Sequence, residues 1–256
     1  MTALFEDVIF GPVRSRRLGI SLGVNLLPVH SKLCSFDCIY CECGWNGEHE
    51  GARRFNSRDD VRRLLRETLL RMADEGQHPD VITFAGNGEP TMHPDFGAII
   101  DDTLALRDEL CPSAKVSVLS NATQIHREDV RRALLRVDNN ILKLDSAFDE
   151  TVRLINRPNG SFTVRETIEL LKKFEGRMIL QTMFLRGESE GRKIDNTTEE
   201  EVAAWLAAVE EIRPAGVMVY TLDRDTPCKS LTKVSHEELQ RIAERVRAIG
   251  IDCSAA

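Results

Sequence analysis

The chain lacks any apolar run long enough to cross a membrane, which excludes a helical membrane protein. It lacks the basic start and long apolar stretch of a secretory signal, so a reducing cytoplasm is expected. It lacks paired cysteine knuckles, an even cysteine count, internal repeats and low-complexity tracts. Seven cysteines do not make a disulfide framework. Positive charge is also in deficit. At a net charge of −7 the chain has no basic domain of the kind a nucleic-acid binder usually shows. Its basic stretches are local. Arg14, Arg16 and Arg17 precede the cysteines, and Arg62, Arg63 and Arg66 read as the solvated face of a helix. With 42% apolar residues over 256 positions, the composition suits one soluble globular domain.

What is present is three thiols within eight residues. Cys34, Cys38 and Cys41 stand in the spacing CX3CX2C, with Tyr40 just before the last cysteine. Such a set suits a metal or an iron–sulfur cluster. A cubane cluster has four irons, so three cysteines leave one iron open to a small molecule. Zinc is the alternative, with Cys43 as a fourth ligand. A third reading is chance spacing on a helix face. Cys43-Gly-Trp-Asn-Gly47 downstream and Pro28 upstream favour a loop. Cys111 is expected in the core and Cys253 lies near the C-terminus. Cys228 follows the sixth strand, where it touches substrate or has no function.

From the cysteines onward, strand-like and helix-like segments alternate. Strands are expected at Gly19–Leu27, Val81–Ala85, Lys115–Leu119, Asn140–Leu144, Met178–Phe184 and Gly216–Tyr220. Ser57 is a candidate N-cap for a helix to about Glu75. Further helices are expected from about Pro94 to Leu110, Arg127 to Arg136, Asp149 to Asn156, Val164 to Phe174, Thr198 to Ile212 and Ser235 to Ala248. Six β–α units imply a parallel sheet with right-handed crossovers, preceded by a short extension of about 18 residues. An open doubly wound sheet and a partial barrel both satisfy this pattern. Either gathers ligands at the strand C-termini. There the chain carries Gly86-Asn-Gly-Glu-Pro90, Ser120-Asn121 and Asp145-Ser146. Gln181 is a polar residue inside an apolar strand, whose amide needs a ligand, a neighbouring strand or a buried water.

The order of these features resembles the radical S-adenosylmethionine (SAM) enzymes. Gly11–Asn25, Gly86–Pro94, Lys143-Leu-Asp145 and Ile155-Asn-Arg-Pro158 are similar to one branch of them. It is the branch of small iron–sulfur oxidoreductases grouped with the radical SAM enzymes of wyosine (tRNA imidazoguanosine) synthesis. The resemblance implies a partial (β/α)6 barrel and a [4Fe–4S] cluster on Cys34, Cys38 and Cys41. SAM would be cleaved to a 5′-deoxyadenosyl radical that abstracts hydrogen from a substrate. It further implies that Gly86, Asn87, Gly88 and Glu89 hold the methionine end of SAM. Ser120, Asn121 and Asp145 would lie by the ribose, Tyr40 by the adenine, and Gln181 inside the barrel. Cys43 is expected to be structural. A one-electron donor such as flavodoxin or ferredoxin is implied, with a small molecule, peptide or tRNA as substrate. The alternative is an iron–sulfur redox or binding protein that does not cleave SAM. Arg157 and Arg186 are substrate-side candidates, because guanidinium groups near strand ends orient anions well. Leu185–Lys193 and the loop around Arg224 are expected to act as a mobile lid.

Overall fold

A computed structural model describes residues 4–15, 19–48, 51 and 54–256; Arg16 and Arg17 lie outside the described residues. The short apolar runs form the parallel strands β2 (Gly19–Val24), β3 (Val81–Phe84), β4 (Lys115–Ser120), β5 (Asn139–Lys143), β6 (Ile179–Met183) and β9 (Gly216–Tyr220). They pair in chain order, β2-β3-β4-β5-β6-β9, so the crossovers never reverse direction. That decides between the two architectures. A doubly wound sheet needs a reversal of strand order, whereas a singly wound one curls into part of a barrel.

Two edge strands extend the expected six. The segment read as an N-terminal extension contributes β1 (Ile9–Ser15), antiparallel to β2. β11 (Cys253–Ala255) runs parallel to β9 at the far edge. The lid segment is itself structured. β7 (Leu185–Ser189) and β8 (Arg192–Asp195) form a hairpin, and β10 (Thr232–Lys233) pairs with β7. Glu190 and Gly191 carry the turn, both at positive φ (53° and 72°). A two-residue hairpin turn of that hand matches strand twist.

The helices are α1 (Arg58–Asp74), α2 (Phe96–Leu110), α3 (Glu128–Leu134), α4 (Asp149–Ile155), α5 (Val164–Lys172), α6 (Glu199–Ile212) and α7 (His236–Ala248). Ser57, Thr163, Thr198 and Ser235 cap α1, α5, α6 and α7 by accepting a backbone N–H three residues on. Each such cap is worth about 1 kcal/mol. Helices cover the outer face, so every residue of β3 is buried. A smaller cluster of Phe36, Ile39, Tyr40, Ile155, Met183, Leu185 and Leu222 packs under the strand C-termini. This apolar plug fixes the cysteine loop. Full burial of Phe36 and Ile39 contributes about 1.5–3 kcal/mol each.

Candidate functional site

The cysteine segment has no regular secondary structure of its own, so its backbone groups find partners on two neighbouring loops. On one side the Leu33 N–H donates to the Asn87 carbonyl (2.8 Å), and the Leu33 carbonyl accepts from the Glu89 N–H (3.2 Å). On the other, Asp37 N–H donates to the Asn156 carbonyl and Ile39 N–H to the Ile155 carbonyl, both at 2.9 Å. The loop is thus strapped between the end of β3 and the end of α4. Close approach explains two glycines. Gly86 and Gly88 both have φ +143°, and a Cβ would strike the Asn25 side chain at the first and the Leu33 carbonyl at the second.

Cys34, Cys38 and Cys41 line one cavity of about 160 Å³ with Tyr40, Gly86, Gly88, Glu89, Ser120, Asn121, Lys143 and Gln181. Two expected residues stand apart from this lining. Asn87 is fully buried behind the loop, where its amide nitrogen donates to the Phe5 and Pro28 carbonyls (2.9 and 2.8 Å). Asp145 sits behind Tyr40. Its Oδ1 accepts from the Met183 N–H (2.9 Å), and its Oδ2 from the Asn156 amide (2.7 Å) and the Tyr40 hydroxyl.

Glu89 is 2% exposed, and both of its carboxylate oxygens are bonded within the protein. Oε1 accepts from the Thr91 N–H (3.0 Å), the Ser120 hydroxyl (2.9 Å) and the Thr91 hydroxyl; Oε2 accepts from the Asn121 N–H (2.6 Å). Burial raises its pKa, and these hydrogen bonds oppose the rise. Glu89 therefore pins the β3 loop to the end of β4.

The three thiols sit in different fields. Burial, then Glu89 and Cys38, pushes Cys34 upward. Burial pushes Cys38 up to about 11, with Lys143 opposing. Cys41 is lowered, chiefly by the neighbouring Cys43 and then by the charge of Lys32. Lys32 is buried, donating to the Gly44 carbonyl (2.7 Å) and Asp37 (3.1 Å). Burial alone would lower its pKa, but Cys41, Cys34, Cys38 and Asp37 together raise it. Lys143 likewise stays an ammonium: burial is outweighed by Asp145, Tyr220 and Cys38. It donates to the Tyr40 hydroxyl at 2.7 Å and the Tyr220 hydroxyl at 3.3 Å.

The donor set fits an iron–sulfur cluster. All seven cysteines are free, and three of them line one cavity with Lys143, while Lys32 is buried within the cysteine loop. Among the described residues, no three metal-binding side chains converge on a single ion position. Three cysteines in one cavity, with Cys43 outside its lining, suit a cluster with three thiolate ligands better than a four-ligand zinc site. Cys43 is excluded from the cavity lining and its thiol points to the Gly86 carbonyl (3.5 Å).

The substrate-side arginines are both engaged. Arg186 donates to Glu238 (2.6 and 3.1 Å), Asp195 (3.2 Å) and Thr197 (2.5 Å), tying the hairpin to α7. Arg157 pairs with Glu190 at the hairpin tip (3.0 Å) and stacks on Trp45 (5.0 Å). Arg224 pairs with Glu42 in the cysteine loop (3.0 Å). Lys32, Lys143 and Asn156 have site contacts that the sequence reading did not assign. The signals were there for two of them: Lys32 is two residues before Cys34, and Lys143 interrupts an apolar strand.

Comparison with known proteins bears on this arrangement. A family profile described as the Radical SAM superfamily matches residues 29–199. A UPF0026 protein of Synechocystis sp. is 30% identical over 271 residues, covering 97% of this chain and 96% of that protein. A protein of Brachyspira hyodysenteriae named GTPase Obg is 31% identical over 238 residues, covering 91% of this chain and 32% of its own length. The chain thus spans about a third of that relative. Among solved structures, a radical SAM methyltransferase from Sphaerobacter thermophilus superposes with a TM-score of 0.68 at 15% identity, over 92% of this chain and 65% of that one. A structure of TYW1 with a lysine–pyruvate adduct bound gives 0.62 at 15% identity, over 89% and 73%. At such identities the likeness is one of fold. Among the described residues, no helix is long and apolar enough to cross a membrane.

Proposed function

Because this chain belongs to the Radical SAM superfamily, we propose that it is an enzyme holding a [4Fe–4S] cluster on Cys34, Cys38 and Cys41, with SAM in the adjoining cavity. When bound, these cofactors supply reductive cleavage of SAM to a 5′-deoxyadenosyl radical, which abstracts hydrogen from the substrate. The observation that carries the reading is the shared cavity of three free cysteines, the glycine loop and the ends of β4, β5 and β6.

The chain's own residues bind, orient and exclude. Gly86 and Gly88 let the loop lie tight against Asn25 and the Leu33 carbonyl, so that its backbone lines the cavity. Ser120 and Asn121 at the end of β4 and Gln181 on β6 line the cavity beside the cysteines, where the sugar and methionine parts of SAM would lie. Glu89 acts by fixing that wall, because its oxygens are already bonded. Tyr40 has its hydroxyl held by Lys143 and Asn156, and its ring gives an aromatic surface for the adenine. Lys143 offers a fixed positive charge, not a nucleophile. Substrate enters at the rim formed by the β7–β8 hairpin and the Arg224 loop. The Arg157–Glu190 pair at the hairpin tip and the Arg224–Glu42 pair to the cysteine loop lie at that rim. The electron comes from a small redox protein of the flavodoxin or ferredoxin kind. The net charge of −7 favours a small molecule or peptide substrate over tRNA.

Anaerobic reconstitution followed by dithionite and SAM tests the reading. Formation of 5′-deoxyadenosine by the native protein and its loss in Cys34→Ala are expected. An assembled cluster that leaves SAM intact would instead support an electron-transfer or binding protein.

A further inference from the structure

Two asparagines outside the CX3CX2C motif approach two of its sulfurs. The Asn121 amide nitrogen is 3.5 Å from Cys34 Sγ and 2.9 Å from Ser35 Oγ. Its orientation is settled by its other end: Oδ1 accepts from the Thr123 N–H (3.0 Å) and hydroxyl (2.8 Å), so the NH₂ must face the sulfur. The Asn156 amide nitrogen is 3.4 Å from Cys38 Sγ, 2.7 Å from Asp145 Oδ2 and 3.1 Å from the Tyr40 hydroxyl, so one N–H goes to the carboxylate and the other is shared between the sulfur and the phenol oxygen. A carboxylate only accepts here, so this NH₂ is oriented too. Both asparagines are buried, and each is anchored by a buried carboxylate. Glu89 holds the Asn121 main-chain N–H, and Asp145 holds the Asn156 side chain.

Resting on the cluster reading above, we propose that Asn121 and Asn156 are N–H···S donors that set the cluster's reduction potential. Glu89 and Asp145 are the positioning residues that aim them. An N–H pointed at a ligating sulfur favours the more negative, reduced state, and such hydrogen bonds are a principal control on cluster potential. Asparagine suits the task because its donor carries no net charge and does not titrate.

The test is an EPR-monitored redox titration of reconstituted protein. Asn121→Ala and Asn156→Ala each lower the reduction equilibrium constant about tenfold, which is about 59 mV for one electron. Ser35→Ala, which removes the other acceptor of the Asn121 amide, leaves the potential at the native value. Both asparagine variants holding full iron at the native potential would overturn the proposal. A variant-free measurement stands beside these. Native protein carrying ¹⁵N in its asparagine side chains shows ¹⁵N coupling to the reduced cluster in pulsed EPR, and absence of coupling contradicts the assignment. A native chain that assembles no iron–sulfur cluster would sink the cluster reading and this inference with it.

Discussion

Replacing Glu89 with alanine separates a structural pin from a cofactor ligand. In the native fold its carboxylate accepts from two buried backbone N–H groups, those of Thr91 and Asn121. It also accepts from the Ser120 and Thr91 hydroxyls, which can rotate to other partners. Alanine leaves the two N–H groups without an acceptor. At about 2 kcal/mol for each orphaned donor the loss is about 4 kcal/mol. Stability of a domain is on the order of 5–15 kcal/mol, so this is a large fraction. At about 2–4 °C per kcal/mol for a chain of this size, melting falls by roughly 8–16 °C. The assay is a thermal melt of the cluster-free, reduced protein by circular dichroism, where SAM and iron play no part. Glu89→Gln keeps the shape and one acceptor oxygen and should fall between the two. A melting point for Glu89→Ala within about 2 °C of native would refute the pin and leave direct SAM contact as its role.

His93 is 2% exposed, and its Nδ1 accepts from the Asp95 N–H, so Nε2 donates to the Asn56 carbonyl (2.9 Å). Burial lowers its pKa from 6.5; the unfolded chain therefore takes the proton first, and stability is full above about 6.5 and declines as pH falls below it. Melting curves should show this loss in native protein and less of it in His93→Gln. Arg186→Ala should speed hydrogen exchange in β7 and β8 while the parallel strands keep their protection; unchanged hairpin exchange would show that the latch is not the arginine. Hydrogen bonds from Arg186 hold Glu238 down to about 2 from 4.5, so the same latch is complete above pH 4.5 and is lost as pH falls towards 2. Cys43→Ala and Cys228→Ala should both retain native iron content after reconstitution, and loss of iron in Cys43→Ala would make Cys43 a ligand.

The parallel strands were legible because they are short, apolar and buried on both faces, and turn residues bound them. Ser57, Thr198 and Ser235 marked helix starts for a local reason: the cap bond closes within three residues. The edge strands were not legible. Ile9–Ser15 contains Gly11 and Pro12, which argue against a strand until an antiparallel partner is supplied. The β7–β8 hairpin is polar because one face meets solvent, so Leu185–Lys193 read as a loop; the Glu190-Gly191 pair was the available signal. At the site, spacing identified the three cysteines and the glycine loop. It could not show that Glu89 and Asp145 are bonded inward, because their partners are 2 to 105 residues away in sequence. Nor could it show that Arg186 belongs to Glu238. Such pairings are fixed by the curl of the sheet, which brings strand ends together irrespective of their order along the chain.

The central claim is that Cys34, Cys38 and Cys41 hold a cluster with one iron left for SAM. EPR of the dithionite-reduced, reconstituted protein, recorded with and without SAM, tests it most directly. The account predicts a reduced-cluster signal whose g-values change on adding SAM, and no such signal in Cys38→Ala. A cluster signal that SAM leaves unaltered, or one that survives loss of any of the three cysteines, would contradict it.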